Sequence, residues 1–125
     1  MDDTKISFIT GNDNKFAEAI HLVENLVRLD IDLPEIQELD PHKIIAYKLD
    51  QARLQFGGTF VVEDTSLCLD AMNGFPGPLI KWWLQAQTLE EIYDIVASTG
   101  NFSATARTLV GYTKKKGEVI FFEGE

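Results

Sequence analysis

The sequence predicts an α/β domain that ends in a β-hairpin, and three observations carry that prediction. Short runs rich in β-branched and aromatic residues alternate with stretches whose apolar residues recur at helical spacing. Clusters of Gly, Pro, Asn and Asp punctuate the boundaries between them. The last two β-type runs meet at a lysine-glycine turn with no helix between them. The resulting order, β-α-β-α-β-α-α-β-β, belongs to the α/β class. The 125 residues contain no repeat, low-complexity segment or linker, so one domain spanning 1–125 is expected.

Each element has its own signal. Lys5-Ile6-Ser7-Phe8-Ile9-Thr10 reads as a strand broken by Gly11-Asn12-Asp13-Asn14. In the helix that follows, Phe16, Ile20, Val23 and Val27 recur at i, i+4, i+7 and i+11 as one core-facing stripe. Leu29 to Leu33 alternates apolar residues with aspartate, as a half-exposed strand does. Pro34 to Leu39 is a loop, and Asp40-Pro41 supplies an N-cap acid and a first-turn proline for a second helix. Its buried stripe is Ile45, Leu49, Ala52 and Phe56, and Gly57-Gly58 ends it. Thr59 to Glu63 is a strand that terminates in the adjacent carboxylates Glu63 and Asp64.

Leu79 to Ala86 forms a short helix behind Pro78, with Trp82 or Trp83 expected in the core. Thr88-Leu89-Glu90-Glu91 is a capping box for another helix running to about Ser98, and Gly100 closes it. Phe102 to Thr113 and Glu118 to Phe122 are the hairpin strands, with Lys114-Lys115-Lys116-Gly117 as a solvated tip.

Composition narrows the function classes. With 45% apolar and 25% charged residues the chain is globular, and no apolar run approaches the roughly 18 residues of a membrane span. The acidic start Met1-Asp2-Asp3-Thr4 is unlike a signal or transit peptide. A single cysteine, Cys68, precludes an intrachain disulfide and fits a reducing cytoplasm; between Leu67 and Leu69 it reads as a packed thiol. The net charge of −9 argues against nucleic acid or anionic lipid as a partner. A polyanionic ligand would need local lysines, backbone amides or a bridging metal ion.

Two polar clusters meet that requirement. Thr10-Gly11-Asn12-Asp13-Asn14-Lys15 joins a strand to a helix with glycine at the turn and lysine in the first helical turn. Free backbone N–H groups and the helix dipole make such a place attractive to phosphate, although the same pattern also serves as an ordinary capped helix. The second cluster is Glu63-Asp64-Thr65. Mg²⁺ takes few protein oxygens and leaves the rest of its octahedron to water and substrate phosphates. Asp64 and Glu35 are candidate ligands, with Glu63 placed to orient water; an exposed acid pair is the plainer alternative. If the two strands run parallel in one sheet, both clusters share one sheet edge. Lys48 and Lys81 are either further phosphate contacts or snorkelling surface lysines. His21 and His42 lack metal-ligand spacing.

Taken together, Ser7 to Lys15, Leu33-Pro34-Glu35, Val62-Glu63-Asp64-Thr65-Ser66-Leu67 and Gly74-Phe75-Pro76-Gly77-Pro78 resemble the inosine triphosphate pyrophosphatase family in order and spacing. The likeness runs from residue 5 to the end. It implies an ITPase-like mixed sheet with flanking helices and a C-terminal β-hairpin. It also implies a Mg²⁺-dependent, homodimeric hydrolase that converts the purine nucleoside triphosphates ITP, dITP and XTP to monophosphate and pyrophosphate. Carried over residue by residue, Thr10, Gly11, Asn12, Asp13, Asn14 and Lys15 would cradle the triphosphate, with Lys48, Lys81 and Thr65 as further substrate contacts. Glu35 and Asp64 would be the magnesium acids, Asp64 also the base for the attacking water, and Glu63 its assistant.

In the family, the strand resembled by Phe121-Phe122-Glu123-Gly124-Glu125 leads into a second lobe. That lobe carries an aromatic-Gly-aromatic-Asp-Pro type segment and a Ser-His-Arg that read the base. A truncated second lobe is therefore expected, and with it weak or unselective hydrolysis. The alternative function is a noncatalytic phosphate-binding or assembly remnant of the same fold. The Maf-type nucleotide pyrophosphatases share the general fold but match the Thr-Gly-Asn-x-x-Lys and Pro-Gly-Pro segments less well.

Overall fold

The computed structural model describes residues 5–34, 36–114 and 118–125. In chain order the elements are β1 (Ile6–Ile9), α1 (Asp13–Ile20), β2 (Leu26–Leu29), α2 (Pro41–Gln55), β3 (Phe60–Leu69), a 3₁₀ turn (Asp70–Met72), β4 (Pro76–Gly77), α3 (Ile80–Ala86), α4 (Leu89–Thr99), β5 (Ala104–Thr113) and β6 (Ile120–Gly124). The strands form one mixed sheet in the order β2-β1-β3-β5-β6, with β4 paired to β3. β1 runs parallel to both β2 and β3, while β3, β5 and β6 are successively antiparallel. The α/β class, the flanking helices and the terminal hairpin are therefore as the sequence predicts.

Residue alternation along β3 assigns the two faces of the sheet. Phe60, Val62, Asp64 and Ser66 are buried on the face covered by α2. There Ile9, Ile45, Leu49, Ala52, Phe60, Val62 and Leu109 form the core cluster. Val61, Glu63 and Thr65 look to the other face, which Phe8, Val110 and Tyr112 share with Ala19, Leu22 and Val23 at the end of α1. From β1 the chain crosses through α1 to β2 on one side, then through α2 to β3 on the other. Right-handed crossovers put the two helices on opposite faces, and the topology switches direction at the end of β1.

Five expectations about the elements need correction. The stripe Phe16-Ile20-Val23-Val27 is not one helix: α1 ends at Ile20, and Val27 lies in β2, paired with Ser7. A strand one turn later competes for the same apolar residues, and backbone pairing to β1 wins. Accordingly β2 is Leu26–Leu29, earlier than the expected Leu29–Leu33. Phe56 caps α2 and is exposed, whereas Ile44 joins the buried stripe. Neither tryptophan is buried, since α3 lies along a cleft and not within the core. The largest correction concerns β3, which does not end at Glu63. It continues to Leu69 because β5 pairs with it over all ten residues.

Candidate active site

The parallel partner of β3 stops early, and the site follows from this. β1 pairs with β3 only at Ser7 with Phe60 and Phe8 with Val61. Beyond that point β3 continues alone on this side, so the edge at Val62-Glu63-Asp64-Thr65 borders open space. A cleft of about 620 Å³ occupies it. The expected pairing of the two polar clusters at one sheet edge is met by this geometry. The carboxylates do not cap a strand; they lie mid-strand, past the end of its neighbour.

Thr10 and Gly11 continue from β1 into the cleft wall. The turn is held from within: Asn12 N donates to Thr10 Oγ1 at 3.1 Å, and Asn12, the N-cap of α1, accepts from Lys15 N at 3.0 Å. This capping aims Lys15 back at β3, where its Nζ bonds Glu63 Oε1 at 2.5 Å. The other carboxylate oxygen, Glu63 Oε2, accepts from Thr65 Oγ1 at 3.0 Å. Glu63 thereby ties the lysine of the loop to the threonine of the strand.

Asp64 points to the α2 face and is 8% exposed, yet it lines the same cleft. Lys48 emerges from α2 beside Leu49 and reaches the Glu63 carbonyl at 3.4 Å. Lys81 arrives by another route. After β3 the 3₁₀ turn reverses the chain, and β4 pairs back onto Leu67 and Cys68. The turn uses left-handed backbone at Asn73, Gly74 and Gly77, which glycine adopts without a Cβ penalty. Pro78 and Ile80 then form the far wall, with Lys81 on it and its ammonium 5.2 Å from the Trp82 ring centroid.

Of the residues singled out in the sequence, Thr10, Gly11, Asn12, Lys15, Lys48, Glu63, Asp64, Thr65 and Lys81 all line this cleft. Asp13 and Asn14 do not; Asp13 instead pairs with Arg28. Glu35 lies outside the described residues. Asp32, which sequence reasoning passed over as the polar position of a strand, also lines the cleft. The signal for it was its place three residues before Glu35 in the loop leaving β2. Among the described residues no three His, Cys, Asp or Glu side chains converge into a metal-holding cluster. The cleft thus presents three lysines, three carboxylates and a capped loop on a strand-to-helix turn. That is suited to an anion accompanied by a hard cation.

Comparison with known proteins agrees with this fold. The model of the Ham1 family matches residues 6–125. The chain is 38% identical over 134 residues to the inosine triphosphate pyrophosphatase of Candida glabrata, covering 99% of this chain and 70% of that protein. It is 36% identical to the inosine triphosphate pyrophosphatase of Saccharomyces cerevisiae, covering 99% and 69%. Among solved structures, a nucleoside-triphosphatase/dITP/XTP pyrophosphatase from Mycobacterium abscessus superposes with a TM-score of 0.75 at 20% identity, over 96% of this chain and 70% of that one. The Staphylococcus aureus Ham1 protein gives 0.71 at 17% identity, over 96% and 69%. With a family model that spans nearly the whole chain and relatives above one third identity, the chain belongs to the Ham1 family.

Proposed function

We propose that this protein is a nucleoside triphosphate pyrophosphatase that hydrolyses deaminated purine nucleotides (ITP, dITP and XTP) to monophosphate and pyrophosphate. One observation carries the reading: the strand-to-helix loop with Lys15, the lysines Lys48 and Lys81, and the carboxylates of β3 line a single cleft. The relatives named above as inosine triphosphate pyrophosphatases support the substrate class.

In this reading Thr10, Gly11, Asn12 and Lys15 bind the triphosphate at the positive end of α1, and Lys48 and Lys81 add charge from the facing walls. Glu63 assists by holding Lys15 and Thr65 in place. Asp64, buried beside Lys48, takes the proton from the water that attacks phosphorus. The donor set fits Mg²⁺, which needs one or two carboxylates besides water and phosphate oxygens. Asp64 would hold it together with Glu35, and Asp32 lies within the same cleft. When bound, the ion neutralises developing phosphate charge and acidifies a water. A homodimer and a cytoplasmic location complete the proposal. No helix among the described residues is long and apolar enough to cross a membrane, and a monomeric mass by light scattering would remove the dimer.

The deciding experiment incubates the chain with Mg²⁺ and ITP, XTP or GTP and identifies the phosphorus products by ³¹P NMR. Pyrophosphate from ITP and XTP is expected. Pyrophosphate from all three equally would remove base selectivity, and none from any would replace catalysis with phosphate binding.

A further inference from the structure

We infer that Arg28 masks negative charge at the phosphate loop and positions it, a role that rests on reading Thr10, Gly11, Asn12 and Lys15 as the triphosphate site. Arg28 lies in β2 opposite Phe8, beside the strand from which the loop springs. Its Nε donates to the Thr10 carbonyl at 3.1 Å. The same guanidinium bonds Asp13 Oδ1 and lies 3.6 Å from Asp30 Oδ2. Asp30 Oδ1 is in turn 3.8 Å from where a Cβ on Gly11 would stand. Two carboxylates therefore flank a loop that receives a polyanion.

The charges on this side of the loop conflict. Asp13 in the first turn of α1 favours the helix through its dipole but repels phosphate at the same place. Arg28 resolves the conflict with one planar group that serves a backbone carbonyl and two carboxylates at once; lysine, a point charge, has no equivalent fork. The side chains of Asp13 and Asp30 are 86% and 69% exposed, and ion pairs with such partners add little to folding stability. The consequence of the arrangement therefore falls on the ligand.

The test titrates the whole chain with inorganic tripolyphosphate in the presence of Mg²⁺, by calorimetry, at low and at high salt. Arg28→Ala is expected to weaken binding about three- to ten-fold at low salt, and the difference shrinks at high salt as the exposed carboxylates are screened. Adding Asp13→Asn to Arg28→Ala restores most of the loss, and Arg28→Lys falls between wild type and Arg28→Ala. Asp13→Asn alone removes one of the two carboxylates while leaving Arg28 its bond to Thr10 and its ion pair with Asp30; it is expected to bind at least as tightly as wild type, which keeps the test open if Arg28→Ala fails to fold.

Lys15→Ala reports on the site itself. Binding lost in Lys15→Ala but unchanged in Arg28→Ala overturns the role of Arg28 and leaves the loop reading intact. Equal binding by wild type and Lys15→Ala overturns the loop reading and this inference with it. A loss in Arg28→Ala that neither salt nor Asp13→Asn relieves overturns charge masking, as does weaker binding by Asp13→Asn alone.

Discussion

Glu63 and Asp64 are neighbours on one strand, so their side chains leave it on opposite faces, and this divides their work. Glu63 turns toward α1 and has both oxygens engaged, by Lys15 and Thr65. Asp64 turns toward α2, into the cleft beside Lys48. We predict that Asp64→Asn lowers kcat for pyrophosphate release about 10²- to 10⁴-fold, the range for loss of a general base. Because the amide keeps the carboxylate's shape, its unfolding midpoint in urea should stay close to wild type. Lys15→Ala removes a proposed phosphate contact and also frees Glu63 and Thr65. It is therefore expected to raise KM and lower kcat together, and steady-state kinetics separate the two patterns. An Asp64→Asn enzyme with wild-type turnover would exclude Asp64 as the base.

At the scale of elements, the close approach of α2 to β5 depends on Gly111. A Cβ there would stand 2.1 Å from Ile45 Cγ2 and 3.3 Å from Leu49 Cδ1, both on fully packed side chains. Gly111→Ala should therefore destabilise the fold by about 1–3 kcal/mol through overpacking, read from urea unfolding. Ile45→Ala in the same chain should cost less than it does alone, since it clears the space the new methyl needs. The capping box of α4 is a second element-scale device. Thr88 Oγ1 accepts from Glu91 N, and the Glu91 carboxylate accepts from Thr88 N. The Thr88 backbone N–H, and after it the Thr88 hydroxyl, hold Glu91 below its ordinary pKa. A carboxylate with a lowered folded pKa adds stability that is present above its unfolded value and lost as pH falls through the folded one. Thr88→Ala should thus be less stable than wild type at neutral pH, and the gap should narrow below about pH 4. A gap independent of pH would mean that the Thr88 hydroxyl contributes nothing through Glu91.

For the whole molecule, a ligand that binds the native state and not the unfolded one must raise the melting temperature. Mg²⁺ with ITP at a hundred-fold excess over Kd should add about 2.7 kcal/mol, or several degrees for a chain of this size. Lys15→Ala should lose most of that shift, whereas the exposed Lys43 on α2, away from the cleft, should keep it when changed to alanine. The sheet face opposite α2 has a different character. Ile6, Phe8, Leu26, Val61, Val110 and Phe122 line an apolar cleft of about 740 Å³ there. It adjoins the cleft of the candidate site along a wall of Lys15, Glu63 and Thr65, so that site stands where the two faces of the sheet meet.

Local signals in the sequence were sufficient wherever a backbone group is satisfied by a nearby side chain. Asp40 caps α2, Thr88 and Glu91 box α4, and Asn12 caps α1, all within a few residues of themselves. The buried stripe Ile45, Leu49 and Ala52 was likewise legible, because helical periodicity is set by covalent geometry. Seven of the nine predicted residues that line the cleft stand in the family motifs, whereas Lys48 and Lys81 lie outside them. Long-range pairing was not legible. No local signal separates a helix running on through Val27 from one that stops so that Leu26–Leu29 can join β1. Nor could the chain around Glu63 announce that β5 would carry β3 six residues further, to Leu69. The sequence by itself determined which lysines, carboxylates and loop residues were available to build a site. Only the tertiary structure decided how they meet, because the cleft exists where β1 ends and β3, held by a strand some forty residues away in sequence, does not.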